Sequence, residues 1–126
     1  MGGIFRVSDT SIVGMAGWAF DHVTRLLKAE VNGTVGEQLL KDIDSAELSG
    51  IAMLNLTEYT SAEMQELARA LGQVERALRA AGPDTFADPK FFPGFMNVFG
   101  ELVTCVRNDP RSGLTPDRPA GGELGK

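Results

Sequence analysis

This chain of 126 residues is poor in the side chains that carry most catalytic chemistry, with one Cys, one His, one Tyr and one Trp. A single Cys excludes an internal disulfide framework and gives no sign of an oxidising compartment. One His and one Cys, with no HxxxH, CxxC or HExxH spacing, exclude the usual zinc arrangements. GxSxG, GxGxxG and kinase-type motifs are missing as well. So are long apolar runs. The longest, IVGMAGWAF over 12–20, is far short of the roughly 20 residues that a membrane-spanning helix needs. Basic residues are outnumbered, with 12 Lys and Arg against 17 Asp and Glu. That balance argues against nucleic acid or anionic membrane as the main partner, because both need a basic surface. The first 20 residues offer Arg6 alone as a basic residue, and Asp9 interrupts before a short, Gly-containing run, which is not the pattern of a secretory leader. Arg6 also stands where the myristoylation pattern needs Ser or Thr, so a cytoplasmic location is expected.

What is present suffices for one domain. An apolar fraction of 43% and a charged fraction of 23% are ordinary for a globular protein of this length, which buries a core without disulfides or metal. Residues 1–107 are read as that domain, and 108–126 as a flexible tail with three Pro and four Gly in 19 residues. The tail's last residues, AGGELGK, fail the phosphate-loop pattern, which needs Gly at Ala120 and a hydroxyl residue after Lys126.

The net charge of −5 is concentrated. Between residues 30 and 66, Glu30, Glu37, Asp42, Asp44, Glu47, Glu58, Glu63 and Glu66 face Lys41 alone, a local balance of −7. Every other stretch is within one charge of neutral.

Helical period dominates. In 61–81, Met64, Leu67, Leu71, Val74 and Leu78 make one apolar seam, Thr60 and Glu63 make a capping box, and Gly82-Pro83 makes a stop. In 91–106, FFPGFMNVFGELVTCV, the seam is Phe92, Phe95, Phe99, Leu102 and Val106, with Pro93 suited to a first turn. With Phe86, this stretch holds five of the seven Phe residues, and the matching seams predict two neighbouring helices that bury each other. A third helix is expected over 12–31, with Val13, Ala16, Phe20, Val23 and Leu27 on its core side. Thr34 and Glu37 suggest a second capping box, opening a helix with Val35, Leu39, Leu40 and Ile43 inward. IFRV (4–7) reads as a strand, and 49–59 as either strand or helix. The expected fold is mainly α: a single-domain antiparallel bundle of four to five helices, with room for a minor two-stranded β element from 4–7 and 51–56.

Candidate chemistry is thin. Cys105 abuts an apolar seam and reads as a small hydrophobe, and His22 lies on a different helix. Asp42-Ile43-Asp44 is a DxD, but on a helix two such carboxylates point about 160° apart, which disfavours a shared metal ion. One constellation stands out. Trp18, His22 and Arg25 are spaced four and three, opposite Phe20, Val23 and Leu27, which places Trp and Arg, the residues most enriched at binding hot spots, on an outer face. The competing reading buries both faces of that helix, helped by Gly14, Ala16, Gly17 and Ala19.

These features favour a small acidic, non-catalytic protein-binding module that inhibits or regulates a basic partner protein, in the general manner of immunity proteins and antitoxins. Its partner-binding residues would be Trp18, His22, Arg25, Glu37, Asp42, Asp44 and Glu47, with no metal or other cofactor. Two alternatives stand beside it. One is a small enzyme or ligand-binding protein with a pocket lined by helix 91–106; the other is a structural subunit that oligomerises through a helical seam.

Overall fold

Alternation shapes the first sixteen residues. In the computed structural model, which describes residues 2–86 and 88–113, Gly2–Ser8 (β1) and Ser11–Ala16 (β2) form an antiparallel hairpin. Phe5 and Val7 from β1, with Val13 and Met15 from β2, point to one face and are buried. Met53–Asn55 (β3) runs parallel to β1, with Leu54 opposite Phe5, and completes a sheet of order β2-β1-β3.

Four α-helices follow from the apolar seams among the described residues: Gly17–Glu30 (α1), Glu37–Ser49 (α2), Ser61–Ala81 (α3) and Phe92–Asn108 (α4). α1 and α4 pack on the hairpin, and α3 packs on both of them, so the core lies on one side of the sheet. α2 joins from the side, against α1 and β3. The capping box at Thr60 and Glu63 is present in both directions, at 2.8 and 3.2 Å. The predicted seams pack inside the chain: Met64, Leu67, Leu71, Val74 and Leu78 are buried with Phe95, Phe99, Leu102 and Val106, and Phe92, the first residue of the second seam, is half-buried at its edge. Each large side chain so buried contributes about 1.5–3 kcal/mol relative to exposure. Gly3 permits the close seat of α1, because a Cβ there would stand 2.3 Å from Phe20 Cβ.

The mainly α fold with a minor β element is therefore the observed one, and four details differ. First, the helix expected over 12–31 begins only at Gly17, and Ser11–Ala16 is the strand β2. Val13 fits a helical and an alternating pattern equally well, and pairing with β1 decides for the strand. Second, the β element has three strands rather than two. Third, Thr34 caps nothing. Asn32 Oδ1 accepts from the N–H groups of Thr34 and Val35, folding a local turn, and α2 starts after Gly36 with no side-chain cap.

Fourth, residues 109–113, expected to belong to a flexible tail, are packed against the domain. Asp109 and Ser112 are buried, and Pro110–Ser112 forms a 3-10 turn. The Arg111 guanidinium donates to the carbonyls of Val7, Leu56 and Tyr59 at 2.8, 2.8 and 3.0 Å, and to both Asp109 oxygens. It thus ties the end of β1 to the segment that follows β3, adding to the Tyr59 N–H that the Leu56 carbonyl already accepts. Residues 114–126, the rest of the expected tail, lie outside the described residues.

Candidate protein-binding surface

α1 presents its core face through Phe20, Val23 and Leu27, all buried. The opposite face carries Trp18, His22 and Arg25, and the structure divides them. Trp18 and His22 turn toward α4. The Trp18 ring lies 5.7 Å from Phe91 and 5.9 Å from Phe95, and edge-on to Phe86 at 6.2 Å. His22 meets Phe86 and Phe95 edge-on, each at 5.2 Å. Its Nε2 is buried without a hydrogen-bond partner among the described residues. Burial, and then the charge of Arg25, holds its pKa below the ordinary 6.5, so the ring is neutral there. Trp18 nevertheless remains 48% exposed, and Phe91 beside it 49%. Neither of the two expectations for Trp18 holds alone. It is an outer-face residue with one side seated on Phe95.

Arg25 is exposed and faces the other flank, where α1 and α2 border a cleft of ≈ 440 Å³. Phe20, Ile43 and Ala46 give this cleft apolar walls, while Asp21, Arg25 and Glu47 give it charge. No residue of helix 91–106 lines it; a second, shallower cleft of ≈ 320 Å³ does border that helix, between Gly100, Glu101, Thr104 and Cys105 and the β2 residues Ile12 and Val13, on the side away from Phe95 and Phe99. Phe95 and Phe99 are core residues, at 2% and 0% exposure.

The acidic residues of α2 are more constrained than their number suggests. Asp44 Oδ1 and Glu47 Oε1 hold Lys28 Nζ of α1 at 3.1 and 3.2 Å. Glu37 pairs with Lys41 one turn on, at 3.3 Å. Asp42 plays a structural part, accepting from the Tyr59 hydroxyl at 2.5 Å and from Gln38 Nε2 at 2.9 Å. Burial first, and then that bond, push the Tyr59 pKa well above its ordinary value, so the phenol stays a donor. Asp42 and Asp44 thus serve opposite sides of α2, as the DxD geometry predicts, and no group of acidic, His or Cys side chains among the described residues is placed to hold a metal ion.

Cys105 is partly buried, and burial followed by the nearby Glu101 raises its pKa, the opposite of what a nucleophilic thiol needs. No helix among the described residues is long and apolar enough to cross a membrane.

Two surface residues escaped the sequence reading. Phe91 falls within the Phe-rich stretch, yet it stands one position before Phe92 and cannot share a helix face with it. That adjacency was the available signal. Lys90, whose Nζ lies 5.5 Å from the Phe91 ring centre, had none.

No family model matches this chain, and no curated protein matches it. Among solved structures, it is similar to a chain in the complex of the CdiA-CT toxin from Burkholderia pseudomallei with its cognate CdiI immunity protein. The TM-score is 0.69 at 18% sequence identity, over 88% of this chain and 99% of that one. The likeness is one of fold.

Proposed function

We propose that this chain is a small protein-binding module of the immunity-protein kind, which grips a basic partner protein and blocks or regulates it without catalysis or cofactor. The observation that carries the reading is the shared fold, which spans 99% of a chain taken from a toxin–immunity complex. The immunity side is favoured by charge. A net −5 with its excess between residues 30 and 66 suits a basic protein partner and repels nucleic acid. A cytoplasmic site of action follows from the same reading. The seams of α3 and α4 are internal, so self-association through either would require unfolding the core.

In this reading the acidic α2 steers the partner, and Trp18 with Phe91 supplies a half-exposed aromatic anchor. Steering acts on association and is screened by salt, whereas anchors act on dissociation. The test uses the basic product of a neighbouring reading frame, with rates measured by surface-immobilised binding. Asp44→Asn with Glu47→Gln should slow association and flatten its salt dependence, leaving dissociation alone. Asp42 is spared because it holds Tyr59. Trp18→Ala should speed dissociation by about tenfold or more, corresponding to roughly 1.4 kcal/mol or more, in a protein that remains folded. Association that ignores salt removes the steering half, and a Trp18→Ala protein that unfolds removes the anchor.

A further inference from the structure

The outward ridge of α1 runs through Trp18, Asp21, Arg25 and Lys28, spaced three, four and three and all exposed. Its charges are engaged unequally. Lys28 is held by Asp44 and Glu47. The Asp21 carboxylate has no ion pair or hydrogen bond among the described residues, and only the backbone carbonyl of Asp21 is engaged, accepting from Thr24 Oγ1 at 3.1 Å. Arg25, one turn on, forms no ion pair with it among the described residues and borders the cleft toward α2. A helical side chain leans over the turn before its own, so Asp21 leans toward the turn that holds Trp18. Phe95 covers one side of the indole, and Trp18 is still 48% exposed. An aromatic ring and an unpaired carboxylate therefore stand side by side at the surface, three residues apart.

The chain itself shows what such a pair holds. Phe91 and Asp88, also three residues apart, hold Lys90, whose Nζ lies 5.5 Å from the ring centre and 3.6 Å from Asp88 Oδ2. The Phe91 ring is 5.7 Å from Trp18, so the occupied pair and the unoccupied one are neighbours. We propose that Trp18 and Asp21 receive an arginine side chain of the basic partner. Its guanidinium lies flat on the exposed part of the indole and donates to the Asp21 carboxylate. The proposal rests on the reading of this chain as a binder of a basic protein, and it names the side chain that the aromatic anchor takes. Arginine fits better than lysine. A planar guanidinium stacks on a ring and offers its N–H edge to a carboxylate at the same time. An ammonium is a compact, strongly hydrated charge with no face to stack. Lys90 does not oppose the incoming cation, because Asp88 offsets its charge.

The chain has one Trp, so indole fluorescence reports on Trp18 alone. The full chain is titrated at low salt with an acetylated, amidated peptide of three Arg separated by Gly, and with its Lys counterpart of equal charge, each up to about 5 mM. The Arg peptide should shift the emission saturably, with an apparent affinity about threefold or more above that of the Lys peptide. Asp21→Asn, at an exposed position, should keep the circular dichroism of the wild type, weaken the Arg peptide about threefold and bring the two peptides level. Asp44→Asn with Glu47→Gln should weaken both peptides and keep the preference for Arg, because the field of α2 acts on charge alone. Emission that does not respond to the Arg peptide overturns the proposal. So does an equal response to both peptides in the wild type, a preference that survives Asp21→Asn, or one that vanishes with the α2 acids instead. The peptides stand apart from the neighbouring gene product, so their failure leaves its salt-dependent association in place, and a failure of that association leaves the peptide result unchanged.

Discussion

The two flanks of α1 are held in opposite ways. Toward α4, Trp18 and His22 meet Phe86, Phe91 and Phe95 at ring separations of 5.2 to 6.2 Å, over a core that includes the stacked Phe95–Phe99 pair. Toward α2, Lys28 reaches Asp44 and Glu47 with side chains 38%, 60% and 51% exposed. Aromatic pairs add about 0.5–1.5 kcal/mol beyond their burial. Exposed ion pairs add about 0–1 kcal/mol and are screened by salt. α4 buries six residues, whereas α2 fully buries only Leu39 and Ile43. Stability therefore resides on the aromatic flank, and the charged flank contributes little to it. A surface that contributes little to the fold can be reorganised at little cost.

The sharpest way to break this contrast is in the aromatic core. Phe99→Ala removes a side chain with 0% exposure and should cost about 3–5 kcal/mol, read as a shift of the urea midpoint. A midpoint equal to wild type would move the core away from α4.

A polar residue should behave almost as strongly. Arg111→Met removes the guanidinium from the Asp109 carboxylate and from the Val7 and Tyr59 carbonyls, while Asp109 keeps the backbone N–H of residue 111 and the Leu56 carbonyl keeps the Tyr59 N–H. The expected loss is about 2–4 kcal/mol by the same urea titration. Unchanged stability would return residues 109–112 to the dispensable tail that their composition suggests.

His22 gives the aromatic flank a pH signature. Its folded pKa is lowered, by burial and then by Arg25, so the unfolded chain binds a proton more readily than the folded one. Stability should therefore fall as pH drops through the ordinary 6.5, and this contribution levels off below the lowered folded value. His22→Leu should remove that part of the slope, measured by urea unfolding in steps from about pH 7.5 to about pH 5. Identical slopes for the two proteins would mean that the ring is solvated in the folded state.

The smallest effect belongs to the charged flank. Lys28→Met should change stability by less than about 1 kcal/mol at low salt and by nothing measurable at high salt. A larger loss, insensitive to salt, would show that α2 depends on this contact after all.

Much of the helical layer was legible in the chain. The period of α3, its capping box and its Gly-Pro stop are local properties, and the structure keeps each of them. The seam of α4 was legible for the same reason, while Phe91 was hidden, because a run of Phe does not show which one leaves the face. β2 was not legible. Val13, Ala16 and Phe20 satisfy a helical repeat, and only the hairpin partner reveals the alternation. Trp18 was legible as an outer-face residue, but its half-seat on Phe95 depends on where α4 lands.

By itself, the sequence determined the amphipathic helices, the capping box of α3 and the concentration of negative charge between residues 30 and 66, because each is written in neighbours a few positions apart. Tertiary structure alone decided the rest. It paired β1 with β2 and β3, set Lys28 against acids 16 and 19 residues away, and brought Arg111 to a carbonyl 104 residues earlier. Those bonds join groups that are strangers along the chain. They form only when the core has closed and left specific carbonyls and carboxylates unpaired beside them.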